Sequence, residues 1–87
     1  IEWIQAWGNY VNLHVRGHDY PLRSTMAAIE RRLDGKRFVR VHRSYIVNLD
    51  FVQAIIPLES GDARAVLSTG GEVPVSRRYR DALKSVA

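Results

Sequence analysis

The sequence predicts a mainly β fold, in which antiparallel strands carry one amphipathic helix and a short C-terminal helix. Short runs of alternating apolar and polar residues recur along the 87 residues, separated by clusters rich in glycine, asparagine and aspartate. Such alternation is typical of half-buried strands. Most of the separating clusters are only a few residues long, whereas parallel strands need crossovers of about a dozen residues or more. We therefore expect mainly antiparallel pairing.

The chain opens with a predicted β-hairpin. Every second residue from Val11 to Val15 is apolar, and these side chains share one face because successive residues of a strand point to opposite sides. Gly8 and Asn9 separate the two strands, and both tolerate the positive φ of tight hairpin turns. The predicted strands are residues 1–6 and 10–16, followed by a turn at 16–19 and a third strand at 20–23.

One segment has helical rather than alternating periodicity. Ser24 or Thr25 can cap its N-terminus, since hydroxyl side chains accept from the first free backbone N–H groups. Gly35 stands where a C-cap glycine is common. The apolar residues that recur at helical spacing and predict a buried face are Met26, Ile29 and Leu33.

The rest of the chain again predicts strands. Ser60-Gly61-Asp62 and Thr69-Gly70-Gly71 are turn sequences. In residues 38–42, Val39 and Val41 can enter a core while Arg40 and His42 face the other way. Ser76 can cap a final short helix at residues 77–86. The predicted strands are residues 38–42, 45–47, 51–57, 63–68 and 73–75.

The composition favours a polyanionic partner. The chain has a formal net charge of +4 and no cysteine, and its pI is about 10.0. A focused basic patch raises the local concentration of phosphate ligands. The absence of cysteine excludes disulfides and thiolate chemistry. Eight of the thirteen basic residues lie in two segments that contain one acid, Asp81: Lys36, Arg37, Arg40, Arg43, Arg77, Arg78, Arg80 and Lys84.

Four segments, in this order along the chain, resemble the LytTR family of bacterial DNA-binding domains: residues 7–11, 24–33, 38–48 and 73–79. The run FVRVHRSYIVN at residues 38–48 is highly specific for that family. The resemblance covers nearly the whole chain.

The resemblance implies the output domain of a bacterial transcription regulator. It also implies an elongated stack of small antiparallel β-sheets that reads successive major grooves with loops. A receiver domain, or less often membrane segments, would precede it in the parent protein. Family members open with an additional strand pair before the position of Ile1. We therefore expect residues 1–87 to be a single domain, excised from a longer regulator and lacking that pair.

By resemblance, bases are read from the turn around Trp7 to Asn9, with Asn9 as the contact residue, from Arg43 and from Arg78. A guanidinium can bind O6 and N7 of guanine, and an asparagine can pair with adenine in the same bidentate way. An asparagine after a glycine is, however, first of all a turn residue. Contacts to the phosphate backbone, which position a protein without reading sequence, are expected from Lys36, Arg37, Arg40, His42, Ser44, Arg77, Tyr79, Arg80 and Lys84.

The expected partner is double-stranded DNA with repeated half-sites, bound by two copies of the domain. The isolated domain is expected to be monomeric and to bind weakly. No apolar run approaches the roughly 20 residues that span a bilayer, so we expect no membrane contact by this segment and a cytoplasmic location.

Two other function classes remain open from the residues alone. A small β module for single-stranded RNA or DNA would use tyrosines as stacking platforms, but the aromatic residues are scattered over separate predicted strands. A basic protein-interaction module would bind an acidic partner and ignore nucleic acid.

Neither an enzyme nor a metal or cofactor site is expected. His42, Ser44 and Asp50 have the residue types of a catalytic triad, but no buried acid behind the histidine and no oxyanion hole is indicated. His14 and His18 lie on a strand and its following turn, a spacing that does not converge on a metal, and cysteine ligands are lacking.

Overall fold

Among the residues that the structure describes, eight strands and helix α1 follow one another along the chain. The structure is a computed structural model and describes residues 1–81 and 83. A 3-10 turn, Leu49–Phe51, separates the fifth and sixth strands. The elements are β1 (Trp3–Trp7), β2 (Tyr10–Val15), β3 (His18–Arg23), α1 (Met26–Arg32), β4 (Phe38–His42), β5 (Tyr45–Asn48), β6 (Val52–Pro57), β7 (Ala63–Leu67) and β8 (Glu72–Val75).

The strands form two sheets, and every pairing between them is antiparallel. Sheet A has the strand order β3-β2-β1-β5-β4, and sheet B has the order β6-β7-β8. The described part of the molecule measures 34 × 24 × 23 Å. The predicted elongated stack of small antiparallel sheets is therefore confirmed.

Sheet A is the middle layer, because its two faces contribute to two different hydrophobic clusters. On one face Val39, Val41 and Val47 pack against alternate residues of sheet B, among them Leu67 and Val73. The other cluster lies between sheet A and α1, and its buried members are Ile4, Val11, Met26, Ile29 and Ile46. The alternation that predicted burial of Val39 and Val41 is thus confirmed.

Helix α1 begins as the sequence predicts but ends earlier. The Thr25 hydroxyl accepts a hydrogen bond from the Ala28 N–H at 3.0 Å, so Thr25 is the N-cap. The C-cap is Leu33, with an extended backbone at φ −99°, and the predicted C-cap at Gly35 is wrong. The reason is local: the Asp34 carboxylate accepts from the Lys36 N–H at 2.9 Å, which starts a separate turn.

The C-terminal segment also differs from its prediction. Residues 77–79 form a turn, and helical geometry begins only at Arg80. The Ser76 carbonyl accepts from the Tyr79 N–H at 3.0 Å and closes this turn. Leu83 is buried in the cluster between the sheets. Part of the predicted helix, residues 82 and 84–87, lies outside the described residues.

Two buried polar side chains bind backbone across the fold. The Asn48 amide donates to the Ile1 carbonyl at 2.8 Å, and its oxygen accepts from the Asp50 N–H at 3.0 Å. Asn48 thus bonds backbone on both sides of its own strand end. The Glu2 carboxylate accepts from the Arg16 N–H at 2.9 Å and from the Thr69 hydroxyl at 2.7 Å.

Among residues 1–81 and 83, no helix has the length and apolar character required to cross a membrane.

Candidate nucleic-acid interface

Two tight turns lie side by side at one end of sheet A. The β1–β2 turn contains Gly8 at φ 60°, a conformation that glycine adopts without steric cost. The β4–β5 turn contains Arg43 and Ser44. Strands β1 and β5 are hydrogen-bonded neighbours, and the Ala6 N–H donates to the Ser44 carbonyl at 2.8 Å. The register of the sheet therefore places both turns at the same end.

The C-terminal turn joins this end from the other sheet. After β8, the Ser76 N–H donates to the Val41 carbonyl at 2.8 Å, so the chain is fastened to the last residues of β4. Residues 77–79 follow directly. We call the three segments together, residues 7–9, 43–44 and 77–79, the turn edge.

The turn edge is exposed and cationic. Asn9, Arg43 and Arg78, the three predicted base-reading residues, are all exposed, as is Arg77. Residues 7–10, 42–45 and 76–80 contain no aspartate or glutamate. The fold thus brings together cationic residues that are far apart in the chain, which is the electrostatic requirement for holding a polyanion.

One cationic residue at this end, Arg23, was not among the sequence predictions, and it lies beside two exposed aromatic residues of the first hairpin. Trp7 is 72% exposed and pairs across the hairpin turn with Tyr10, which is 48% exposed. Arg23 is exposed and lies opposite Tyr10 in the register of β2 and β3. Arg23 was missed because it stands outside the two basic segments. An antiparallel third strand would have placed it beside the turn.

Arg40, predicted to contact phosphate, has a side chain that is 22% exposed and binds within the protein. Its Nε donates to the His42 carbonyl at 3.3 Å, and one terminal nitrogen donates to the Arg43 carbonyl. The other terminal nitrogen lies 3.4 Å from the Glu30 carboxylate. The guanidinium also lies over the Tyr79 ring, 5.7 Å from its centroid.

The three arginines in and directly after the C-terminal turn have different environments. Arg80 is half-buried and donates to the Gly61 carbonyl at 3.0 Å. The backbone N–H of Arg77 donates to the Asp62 carboxylate at 2.9 Å, while its side chain is exposed. Arg80 therefore fastens the turn to residues 61–62, whereas Arg77 and Arg78 are accessible to a ligand.

His42 and Ser44 order the β4–β5 turn. The Ser44 N–H donates to His42 Nδ1 at 3.1 Å, so this nitrogen accepts and the neutral ring carries its proton on Nε2. The His42 ring also makes an edge contact with Tyr45 at 5.5 Å between centroids. Both residues are half-buried.

The fold separates some residues that the sequence grouped. Lys36 and Arg37 precede β4, whose far end leads into the Arg43 turn. A five-residue strand spans roughly 13 Å. Arg37 pairs with Asp50 at 3.0 Å, so Asp50 lies at that end too, away from His42, and no triad forms. Lys84 lies outside the described residues, and its phosphate contact stays a prediction.

His14 does not join the other histidines. It stacks on Trp3 at 4.6 Å between ring centroids, and its Nδ1 lies 2.8 Å from the Asp19 carboxylate. Within the described ranges, 1–81 and 83, no group of three histidine, aspartate or glutamate side chains converges as metal ligands would.

A substitution at Gly61 tests whether the position of the C-terminal turn, residues 77–79, is important for binding. Its φ is +94°, and an added Cβ would lie 2.9 Å from Arg77 Cδ. We expect Gly61→Ala to lower the free energy of unfolding by about 1–2 kcal/mol and to weaken DNA binding by displacing Arg77. The measurements are thermal unfolding and fluorescence anisotropy on labelled duplex.

Gly70→Ala is the matched control, because Gly70 has φ +101° and nothing within 4 Å of an added Cβ. It should show the same backbone strain without the loss of binding. Equal DNA affinities for the two variants would contradict the idea that the position of the Arg77 side chain contributes to DNA binding.

The fold and the turn edge define a small antiparallel β module that carries exposed arginines on its turns. The family model described as LytTr DNA-binding domain matches residues 1–87, and the chain belongs to that family. The family identifies the chain as a DNA-binding domain, as the sequence predicted.

Curated relatives agree with this assignment. The sensory transduction protein LytT of Bacillus subtilis is 34% identical over 77 residues, covering 88% of this chain and 32% of that protein. The CO-responsive transcriptional regulator RcoM of Rhodospirillum rubrum is 42% identical over 80 residues, covering 88% of this chain and 33% of that protein. The chain spans about a third of the length of these relatives.

A solved LytTr DNA-binding domain from Bacillus cereus has the same fold. It matches with a TM-score of 0.91 at 23% sequence identity, over 99% of this chain and 79% of that one. At this identity the likeness concerns the arrangement of the strands and the helix.

Proposed function

We propose that this domain binds double-stranded DNA in a sequence-specific manner, with Asn9, Arg43 and Arg78 at the base edges. The observation that carries the proposal is the turn edge, where three turns from distant parts of the chain end side by side. Each of the three residues is exposed there. The major groove presents a distinct donor and acceptor pattern for every base pair, and arginine and asparagine match it bidentately.

Phosphate contacts are proposed for the polar residues that flank these three. Arg77 is exposed, and His42, Ser44 and Tyr79 are half-buried beside it or beside the Arg43 turn. Such contacts fix the orientation of a protein on the duplex. DNA contacts of Lys36, Arg37 and Lys84 remain predictions.

The parent protein is proposed to supply regulation. The two relatives are about three times as long as the matched region, and they are named as a sensory transduction protein and a CO-responsive transcriptional regulator. A receiver or sensor region in the parent chain would promote pairing of two domains on repeated half-sites in the cytoplasm. Linking two copies raises avidity through effective concentration without any new contact, so the isolated domain is expected to be monomeric and to bind weakly.

Selection from a random double-stranded DNA pool tests the proposal. We expect a short recovered motif that binds much more tightly than a scrambled duplex in fluorescence anisotropy. If about four to six phosphates are contacted, log K should fall with log salt concentration at a slope of roughly −4 to −5, because bound cations are released.

Three other outcomes would each favour a different function. Scrambled duplex bound as tightly as the motif would reduce the arginines to non-specific charge. Stronger binding to single-stranded RNA or DNA would favour a stacking surface, for which Trp7 and Tyr10 are exposed candidates on the first hairpin. Indifference to every nucleic acid would favour an acidic protein partner.

A further inference from the structure

Arg40 stands directly behind the Arg43 turn. It lies on β4 opposite Ile46, whereas His42 lies opposite Tyr45, so the strand has an irregularity between the two positions. A bulge of this kind leaves an extra residue outside the ladder and bends the strand. Val41, at the bulge, uses its carbonyl to accept from the Ser76 N–H. The bulge thus joins the Arg43 turn and the C-terminal turn.

The guanidinium of Arg40 bonds the backbone of the Arg43 turn from behind. It donates to two successive carbonyls, those of His42 and Arg43. The side chain is only 22% exposed. Hydrogen bonds from a charged donor are stronger than those between neutral groups. The Arg43 carbonyl is thereby fixed from inside, while the Arg43 side chain remains exposed.

The same guanidinium contacts the C-terminal turn through a different interaction. It lies over the ring of Tyr79, 5.7 Å from the centroid, within the range of cation–π attraction. Tyr79 is the residue after Arg78. One side chain therefore connects the backbone of the Arg43 turn with the neighbour of Arg78.

We propose that Arg40 is a positioning residue for DNA reading, which holds the turns of Arg43 and Arg78 in fixed register, and not a phosphate ligand. This inference rests on the proposed function, since it assigns a role toward the same DNA surface. The three guanidinium nitrogens all point at protein groups: the His42 carbonyl, the Arg43 carbonyl and the Glu30 carboxylate.

Arginine is required for this role because its planar fork reaches several acceptors at once, whereas lysine offers a compact point charge. Arg40→Lys keeps the charge and should keep any phosphate contact. We expect this variant nonetheless to lose affinity for the selected motif by about tenfold or more, a loss like that of one bidentate base contact. Its affinity for scrambled duplex should stay within about twofold of the wild-type value.

The experiment measures anisotropy on motif and scrambled duplex for Arg40→Lys, Arg40→Ala and Arg32→Ala, with circular dichroism of each variant at the assay temperature. Arg32 is an exposed arginine of α1 and serves as the charge control. We expect the ratio of the affinity for the motif to the affinity for scrambled duplex to fall about tenfold or more in both Arg40 variants. In Arg32→Ala this ratio should equal the wild-type value. An unchanged salt slope for scrambled duplex is expected as well.

Different results would overturn the assignment. If Arg40→Lys binds both duplexes like the wild type, while Arg40→Ala weakens both alike and reduces the salt slope by about 0.9, Arg40 is a phosphate ligand. If Arg40→Ala does not fold, Arg40→Lys and the pair Tyr79→Phe and Tyr79→Leu decide the question. Phenylalanine should preserve the affinity ratio because it keeps the ring, and leucine should reduce it.

A double-mutant cycle separates positioning from independent contact. In an Arg43→Ala background, adding Arg40→Lys should cost less affinity than it does in the wild type, because the base-reading side chain that Arg40 positions is already absent. Additive losses would contradict the proposal. A wild-type domain that does not discriminate the motif from scrambled duplex would instead refute the proposed function itself, so the two failures are distinguishable.

Discussion

Replacing Arg78 with alanine should lower the affinity for the selected motif by roughly 5- to 150-fold, which corresponds to about 1–3 kcal/mol for one bidentate base contact. Arg78 is exposed on the C-terminal turn, beside residues that seat this turn against Gly61 and Asp62. Its side chain is free to enter a groove while its backbone is held. Affinity for scrambled duplex should fall much less, since base contacts distinguish sequences.

The control for Arg78→Ala is Arg32→Ala, which removes the same charge from the exposed surface of α1. It should leave the discrimination between motif and scrambled duplex unchanged. Anisotropy titrations at two salt concentrations measure both variants. Equal losses on the two duplexes in Arg78→Ala would remove the base-reading role and leave only a charge effect.

Ile46→Ala should lower the free energy of unfolding by roughly 2–5 kcal/mol, because it removes buried methylene groups and leaves a cavity. Ile46 is 1% exposed and packs with Ile4, Met26 and Ile29 between sheet A and α1. A domain of this size loses about 4–8 °C of melting temperature per kcal/mol. DNA binding should disappear at temperatures where the variant unfolds.

The matched control is Ile56→Ala, because Ile56 is 46% exposed on the edge strand β6. The same substitution there should cost about 1 kcal/mol or less. Chemical denaturation monitored by circular dichroism compares the two variants. Similar losses at both positions would contradict the assignment of Ile46 to a tightly packed core.

The strands were predictable because their signal is local. Alternation alone assigned Val39 and Val41 to the core, and both are buried. The same alternation placed Arg40 on the opposite face, which is also right. Alternation cannot tell whether such a face meets solvent, DNA or another part of the chain. The carbonyls that Arg40 binds became visible only in the folded turn.

The position of basic residues in the sequence did not predict which of them lie together in the fold when a strand separates them. Lys36 and Arg43 belong to one basic segment, yet β4 separates their turns. Arg23, outside both basic segments, lies at the end of sheet A that carries the Arg43 turn. The predicted helix end was wrong because the sequence offered two signals there. Gly35 is a common C-cap residue, but the Asp34 carboxylate accepts from the Lys36 N–H and forms a separate turn after the helix has ended. Turn chemistry decided that boundary.

Replacing each guanine of the selected motif in turn by 7-deazaguanine, which lacks the N7 acceptor, tests the central claim most directly. Wild-type protein should lose affinity at the guanines that its arginines read. Arg43→Ala should become insensitive at one position and Arg78→Ala at another, because the two residues stand on different turns of the turn edge. Variants that keep the full wild-type sensitivity at every guanine would contradict base reading by these arginines.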